Sequence, residues 1–328
     1  MRWVLAMTLM VGLMGATDAL AQKRDYPCTD PDFRRVYLDE ITTAKALKTL
    51  NRQKGLERNF ILTQTQLCDS NIQDALTKGI SRLSIGINNK GYNEAVIQPC
   101  LHAISKPLCS LTLPGQTTDR GLAHLVPLKA LKSLNLWDTK ITDAGLAHVA
   151  QLKELEKLVL TRTNITDAGL AYIAQMEELE WLQVWNTQIT DAGLPHVAQM
   201  KGLKTLYLGN TKITDAGLAH LAQSKALKEL DLSYTKITDA GLAHVAQLEE
   251  LEKLFLYNTK ITDAGLAHLT SLKKLKKLYL WNTKITDAGL AYLAQMKKLK
   301  KLYLRHTKIT DAGVAKLQKK LPNTDIRY

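Results

Sequence analysis

From residue 131 onward, leucines fall at the first, fourth and sixth places of a 24-residue period, with Val184 the one substitute, followed by a threonine at the ninth and an isoleucine at the eleventh. Leu131, Leu134, Leu136, Thr139 and Ile141 are one instance; Leu275, Leu278, Leu280, Thr283 and Ile285 are another. The isoleucine position is filled eight times in register, from Ile141 to Ile309, with no insertion between copies. Alternation at Leu134 and Leu136 predicts a short strand, and the spacing of Leu146, Val149 and Leu152 predicts a helical turn or two before the chain returns. One unit has nothing to bury its leucines against, so the copies must stack and share a core. Thr142 or Asp143 in the first regular copy, and their equivalents in the others, is the expected N-cap, with the acid at the positive end of the helix.

The consensus Leu-x-x-Leu-x-Leu-x-x-Thr-x-Ile resembles the leucine-rich repeat, whose period lies between about 20 and 29 residues. Threonine stands where that family usually has Asn or Cys, and its hydroxyl can still bond the backbone of the turn. The following Ile-Thr-Asp-x-Gly-Leu and a terminal Leu321-Pro322-Asn323 look like exported leucine-rich-repeat proteins of bacteria. The resemblance implies an α/β fold: a right-handed solenoid, curved so that a parallel sheet lines the concave side and short helices the convex side. It also implies a binding habit without naming a ligand.

Weaker copies extend the array toward the N-terminus. Thr117 to Leu122 and Thr65 to Ile72 keep the spacing while the composition drifts, with strands expected around Phe60 to Leu62, Leu83 to Ile85 and Leu111 to Leu113. The expected organisation is a signal peptide over 1–21, an N-terminal cap over 22–55, the array over 56–321, degenerate to about residue 130, and a closing strand over 322–328. The first segment has Arg2, an apolar run from Trp3 to Gly15 and Ala19-Leu20-Ala21, the pattern of an export signal. That run is shorter than the roughly 20 residues of a membrane span, so the mature chain is expected in the periplasm or secreted. The four cysteines, Cys28, Cys68, Cys100 and Cys109, all precede the regular array. An even number in an exported chain points to disulfides. Three pairings are open, with Cys28–Cys68 and Cys100–Cys109 favoured.

Composition adds a surface to this frame. The residues flanking the inward leucines of each strand share one face, and aromatic side chains gather there: Trp137, Trp181, Trp185, Tyr207, Tyr234, Phe255, Tyr257, Tyr279, Trp281 and Tyr303. Lys277, Lys301 and Arg305 flank the last of them. Grouped aromatics of this kind form the energetic centres of interfaces, and these thirteen residues are the expected ligand-binding set, with its centre at Tyr257, Tyr279, Trp281 and Tyr303. The formal net charge is +13, concentrated after residue 270, a field that attracts anionic partners.

No Gly-rich phosphate loop, nucleophile elbow or His-Glu-x-x-His occurs in the chain. Neither enzymatic activity nor a cofactor is expected. Histidines at equivalent helix positions, such as His148, His196, His220, His244 and His268, follow from copying one repeat, and no metal site is assigned to them. A protein is the expected partner, an anionic polysaccharide or lipopolysaccharide the alternative, and a structural role in the envelope a third reading. Nucleic acid is disfavoured by the compartment and by the absence of a nucleic-acid module.

Overall fold

The computed structural model describes residues 108–328 throughout, the backbone of 35–37, 58–62 and 83–87, and residue 93. Among the described residues thirteen strands pair in sequence order into one all-parallel sheet, from Arg35–Tyr37 to Asp325–Arg327. Parallel neighbours need a crossover, and in each regular copy a short helix such as Asp143–Val149 or Asp239–Val245 supplies it. The register steps by one period per strand: Leu134 pairs with Leu158, and Leu254 with Leu278. The architecture is a leucine-rich-repeat solenoid, as the resemblance implied. The strand at 35–37 lies within the segment expected as a cap, where Val36 pairs with Phe60; the rest of that segment lies outside the described residues.

One continuous core runs through the described repeats. Leu131, Leu134, Leu136, Ile141, Leu146, Val149 and Leu152 are all buried, as are their equivalents in the copies that follow. Each buried leucine contributes about 1.5–3 kcal/mol, and only because a neighbouring repeat covers it.

Polar side chains fix the turns. Thr139 Oγ1 donates to the Leu136 carbonyl at 2.7 Å, and Thr163, Thr187, Thr211, Thr235, Thr259 and Thr283 repeat this buried bond three residues back. These hydroxyls form a series of separate bonds, each closing its own turn. The residue before each of these threonines, and before Thr307, which makes the same bond part-buried, has φ between 53° and 58°, at Asp138, Arg162, Asn186, Asn210, Tyr234, Asn258, Asn282 and His306. Asn tolerates that left-handed conformation best among side-chain-bearing residues, and Asn210 Nδ2 also bonds Asn186 Oδ1 at 2.7 Å across repeats. Tyr234 interrupts the asparagine row at a position that disfavours it.

The aspartate column differs from the capping role expected of it. Thr142 is the N-cap, while Asp143 is the first helical residue and reaches into the next repeat. Its Oδ1 accepts from the Thr166 N–H at 2.7 Å and its Oδ2 from the Thr166 hydroxyl at 2.6 Å. The same two-bond clamp joins Asp215 to Thr238, and it recurs from Asp119 to Asp287. Each carboxylate passes over a glycine of the following helix. A Cβ on Gly241 would overlap Asp215 Oδ1 and meet Leu218 Cδ1 at 3.0 Å and Ile237 Cγ2 at 3.1 Å.

Cys109, the one cysteine among the described residues, is buried and is not a free thiol. Cys28, Cys68 and Cys100 lie outside the described residues, and both favoured pairings with them.

Candidate functional site

Every inward leucine on a strand has two neighbours that must face the other way, so period and pleat together line up columns across the sheet. One column passes through Gln183, Tyr207, Asp231, Phe255, Tyr279, Tyr303 and Arg327, each paired with the next. A second holds Lys157, Trp181, Thr205, Glu229, Lys253, Lys277 and Lys301. Because neighbouring strands lie about 4.8 Å apart, bulky residues in one column touch. Phe255 and Tyr279 stack with ring centroids 4.3 Å apart, and Tyr279 and Tyr303 at 4.4 Å. Arg327 caps this stack, its guanidinium 5.4 Å from the Tyr303 ring. Tyr257 joins it through Phe255 at 6.5 Å and leans on Trp281 at 6.0 Å. In the other direction Tyr207 meets Phe255 at 6.2 Å and Trp181 at 5.5 Å, both edge to face.

Tyr207 and Phe255 come together across the shorter Asp231, which lies between them in the register. Beneath these rings the strand face is polar and buried, with Glu229, Asp231 and Lys253 all among the buried residues. Glu229 accepts from the Tyr207 hydroxyl and, at 2.8 Å, from Lys253 Nζ, a buried ion pair. Asp231 accepts the Ser233 N–H at 2.8 Å. Burial is the main cause that pushes its carboxyl up to about 6, and nearby Glu229 adds to it. Burial likewise raises the Tyr207 and Tyr257 phenols well above their usual range and lowers the Lys157 ammonium, which lies 4.2 Å over the Trp181 ring. Gly209 leaves room for this arrangement. A Cβ there would stand 2.5 Å from Trp185 Nε1 and 3.1 Å from Asp231 Oδ2. The indole N–H groups of Trp181, Trp185 and Trp281 are buried with no acceptor among the described residues. A buried donor left unpaired costs about 1–3 kcal/mol.

The structure brings most of the expected residues together. Trp181, Tyr207, Phe255, Tyr257, Tyr279, Trp281 and Tyr303 form one chain of ring contacts, and Tyr234 joins it edge-on to Tyr257 at 5.5 Å. Lys277 and Lys301 stand beside it in their column. Trp185 lies over Gly209. Trp137 stands apart, 52% exposed, with Arg162 5.9 Å from its ring and no ring contact to the others. Arg305 is exposed, and the arginine that meets an aromatic ring at this end is Arg327. Sequence reasoning missed Glu229, Asp231, Lys253, Lys157, Arg327 and His306, the last 5.7 Å from Trp281. The alternation Glu229-Leu230-Asp231 was the available signal: two acids at face positions that hold mostly aromatic or basic residues in the following repeats.

Comparison with known proteins agrees with the repeat. The two-copy model of leucine-rich repeats matches residues 273–319, and a single-repeat leucine-rich model matches 153–174 and 223–246. No curated protein matches the chain. Among solved structures it is similar to an internalin (inlF) from Listeria monocytogenes, at 20% identity and TM-score 0.48, over 80% of this chain and 92% of that one. An internalin C2 (inlC2) from the same organism is 23% identical with TM-score 0.45, over 87% of this chain and 91% of that one.

Proposed function

We propose that this leucine-rich-repeat protein is an exported, non-enzymatic binding protein that holds a protein partner on its strand face. The observation that carries the reading is the unbroken chain of ring contacts from Trp181 to Tyr303 on one side of the sheet. The rings pack against each other, and Tyr207 is held by Glu229 of the buried Glu229–Lys253 pair, so little side-chain entropy is lost when a partner arrives. Protein interfaces concentrate their energy in such central aromatics. Export is read from the N-terminal 21 residues, and the even count of four cysteines accords with it.

The test is affinity capture from envelope and culture fluid with residues 22–328 as bait, comparing the parent with Tyr279→Ala/Tyr303→Ala. A defined protein retained by the parent at high salt and lost by the double variant supports the reading. Capture that is indifferent to the two tyrosines refutes it, and displacement of all bound material by a soluble anionic polysaccharide assigns the face to a glycan instead.

A further inference from the structure

Residues 273–320 hold thirteen Lys and one Arg against two Asp, a net +12 of the whole chain's +13. The rest of the molecule is nearly neutral because charge changes sign along the edge where each helix returns to its strand. Glu177, Glu178 and Glu180 occupy that edge in one repeat, and Glu249, Glu250 and Glu252 in another. Ion pairs cross from repeat to repeat there: Lys132 to Glu156 at 3.1 Å, Lys274 to Glu250 at 2.5 Å and Lys276 to Glu252 at 2.9 Å. The repeat after these has only lysines to offer. Lys297, Lys298 and Lys300 are exposed, and among the described residues none forms an ion pair. Lys297 Nζ donates to the Lys320 carbonyl at 3.1 Å, which joins this edge to the exposed Lys319 and Lys320 at the end of the helix Asp311–Lys320. Of the two acids in the segment, Asp287 already accepts two bonds from Thr310.

We propose that this lysine edge, centred on Lys297, Lys298, Lys300, Lys319 and Lys320, docks the protein onto an anionic lipid surface through the phosphates of its headgroups, separately from the strand face. Three features select that partner. Specific protein interfaces are depleted in Lys and enriched in aromatics and Arg, whereas the cluster is all Lys and has no aromatic side chain. Lysine presents a hydrated point charge on a flexible stem rather than a fork for one fixed carboxylate, which suits mobile headgroups. Successive lysine rows lie one repeat apart, about 4.8 Å, well inside a Debye length of roughly 8 Å at physiological salt, so the charges act on a surface together. Docking at this edge leaves the aromatic strand face open to a protein.

The experiment is co-sedimentation of the purified chain with vesicles of phosphatidylcholine alone or with about 30% phosphatidylglycerol. The parent binds the anionic vesicles at least ten-fold better than the neutral ones and releases them at high salt. Each lysine near such a surface is worth about 1 kcal/mol, so Lys297→Gln/Lys298→Gln/Lys300→Gln weakens binding roughly 100-fold. Lys201→Gln/Lys225→Gln/Lys228→Gln removes the same charge from the same edge three and four repeats earlier and leaves binding within about three-fold. Equal losses in the two triple variants would trace the attraction to net charge and overturn the proposal, as would a parent that does not distinguish the two vesicles. Binding of soluble polyglutamate by a parent that ignores the vesicles would assign the edge to an acidic protein and overturn it as well.

Discussion

Substituting alanine for Gly241 tests the aspartate clamp because two physical effects oppose each other at that site. Gly241 is the third residue of the helix Asp239–Val245, where glycine is about 1 kcal/mol worse than alanine by intrinsic preference. If the helix alone mattered, Gly241→Ala would stabilise the protein by that amount. The added methyl, however, would overlap Asp215 Oδ1 while held between Leu218 Cδ1 at 3.0 Å and Ile237 Cγ2 at 3.1 Å. Asp215 must then give up its bonds to the Thr238 N–H at 2.8 Å and hydroxyl at 2.5 Å. Bonds to a charged group are worth about 1.5–3 kcal/mol, so loss of the part-buried pair outweighs the helix gain and leaves a net destabilisation of about 1–3 kcal/mol. Asp215→Ala breaks the same bonds and costs a similar amount. In the Asp215→Ala background the carboxylate is gone, and Gly241→Ala becomes neutral or stabilising, a coupling of about 2 kcal/mol or more between the sites. Urea unfolding of the parent, both single variants and the double variant, followed by circular dichroism, gives all four values. A Gly241→Ala protein with a higher midpoint than the parent, or additive effects in the double variant, would show that the clamp contributes nothing.

Further substitutions probe the turns and the buried polar centre. Thr211→Val removes the buried bond to the Leu208 carbonyl and should cost about 1–3 kcal/mol in denaturant titration without altering ligand affinity. Tyr234→Asn relieves a left-handed position at φ 58° and continues the row through Asn210 and Asn258, so thermal unfolding should show a gain of about 1 kcal/mol, while loss of the Tyr257 contact weakens binding. For Asp231 the folded carboxyl titrates near 6, raised from 3.8 by burial, so its ionisation penalises the folded state above pH 6 and the penalty vanishes as pH falls toward 4. A shift of about two units corresponds to about 3 kcal/mol, so Asp231→Asn should be more stable than the parent at pH 7.5 and gain nothing at pH 4 in parallel urea titrations.

Most of the fold was legible because the leucine spacing fixes strand, turn and crossover together, and a period without insertions leaves the register no freedom. The strand-face columns followed from the same arithmetic, which is why Tyr279 and Tyr303 could be placed side by side before any contact was known. What escaped has physical reasons. An acid at the start of a helix has one sequence signature whether it caps that helix or reaches the next repeat, so Asp143 read as a cap. The glycine two residues further on, invariant across the eight regular copies of a helix that would prefer alanine, was the unread signal. Glu229, Asp231 and Lys253 were passed over because charged residues are normally exposed, and only pairing across strands makes their burial tolerable. Arg327 was missed as a ring partner because it lies in the closing strand, outside the regular copies.

The central claim is that binding energy resides on the strand face, and the affinity of Trp281→Ala measures it most directly. With the captured partner immobilised, surface plasmon resonance on parent, Trp281→Ala and the helix-side control His244→Ala gives three dissociation constants. Loss of the Trp281 ring, which packs on Tyr257 and His306, should weaken binding by about 2 kcal/mol or more, roughly 30-fold, with His244→Ala indistinguishable from the parent. Binding that survives Trp281→Ala and disappears with His244→Ala would move the functional surface to the helices and contradict the account.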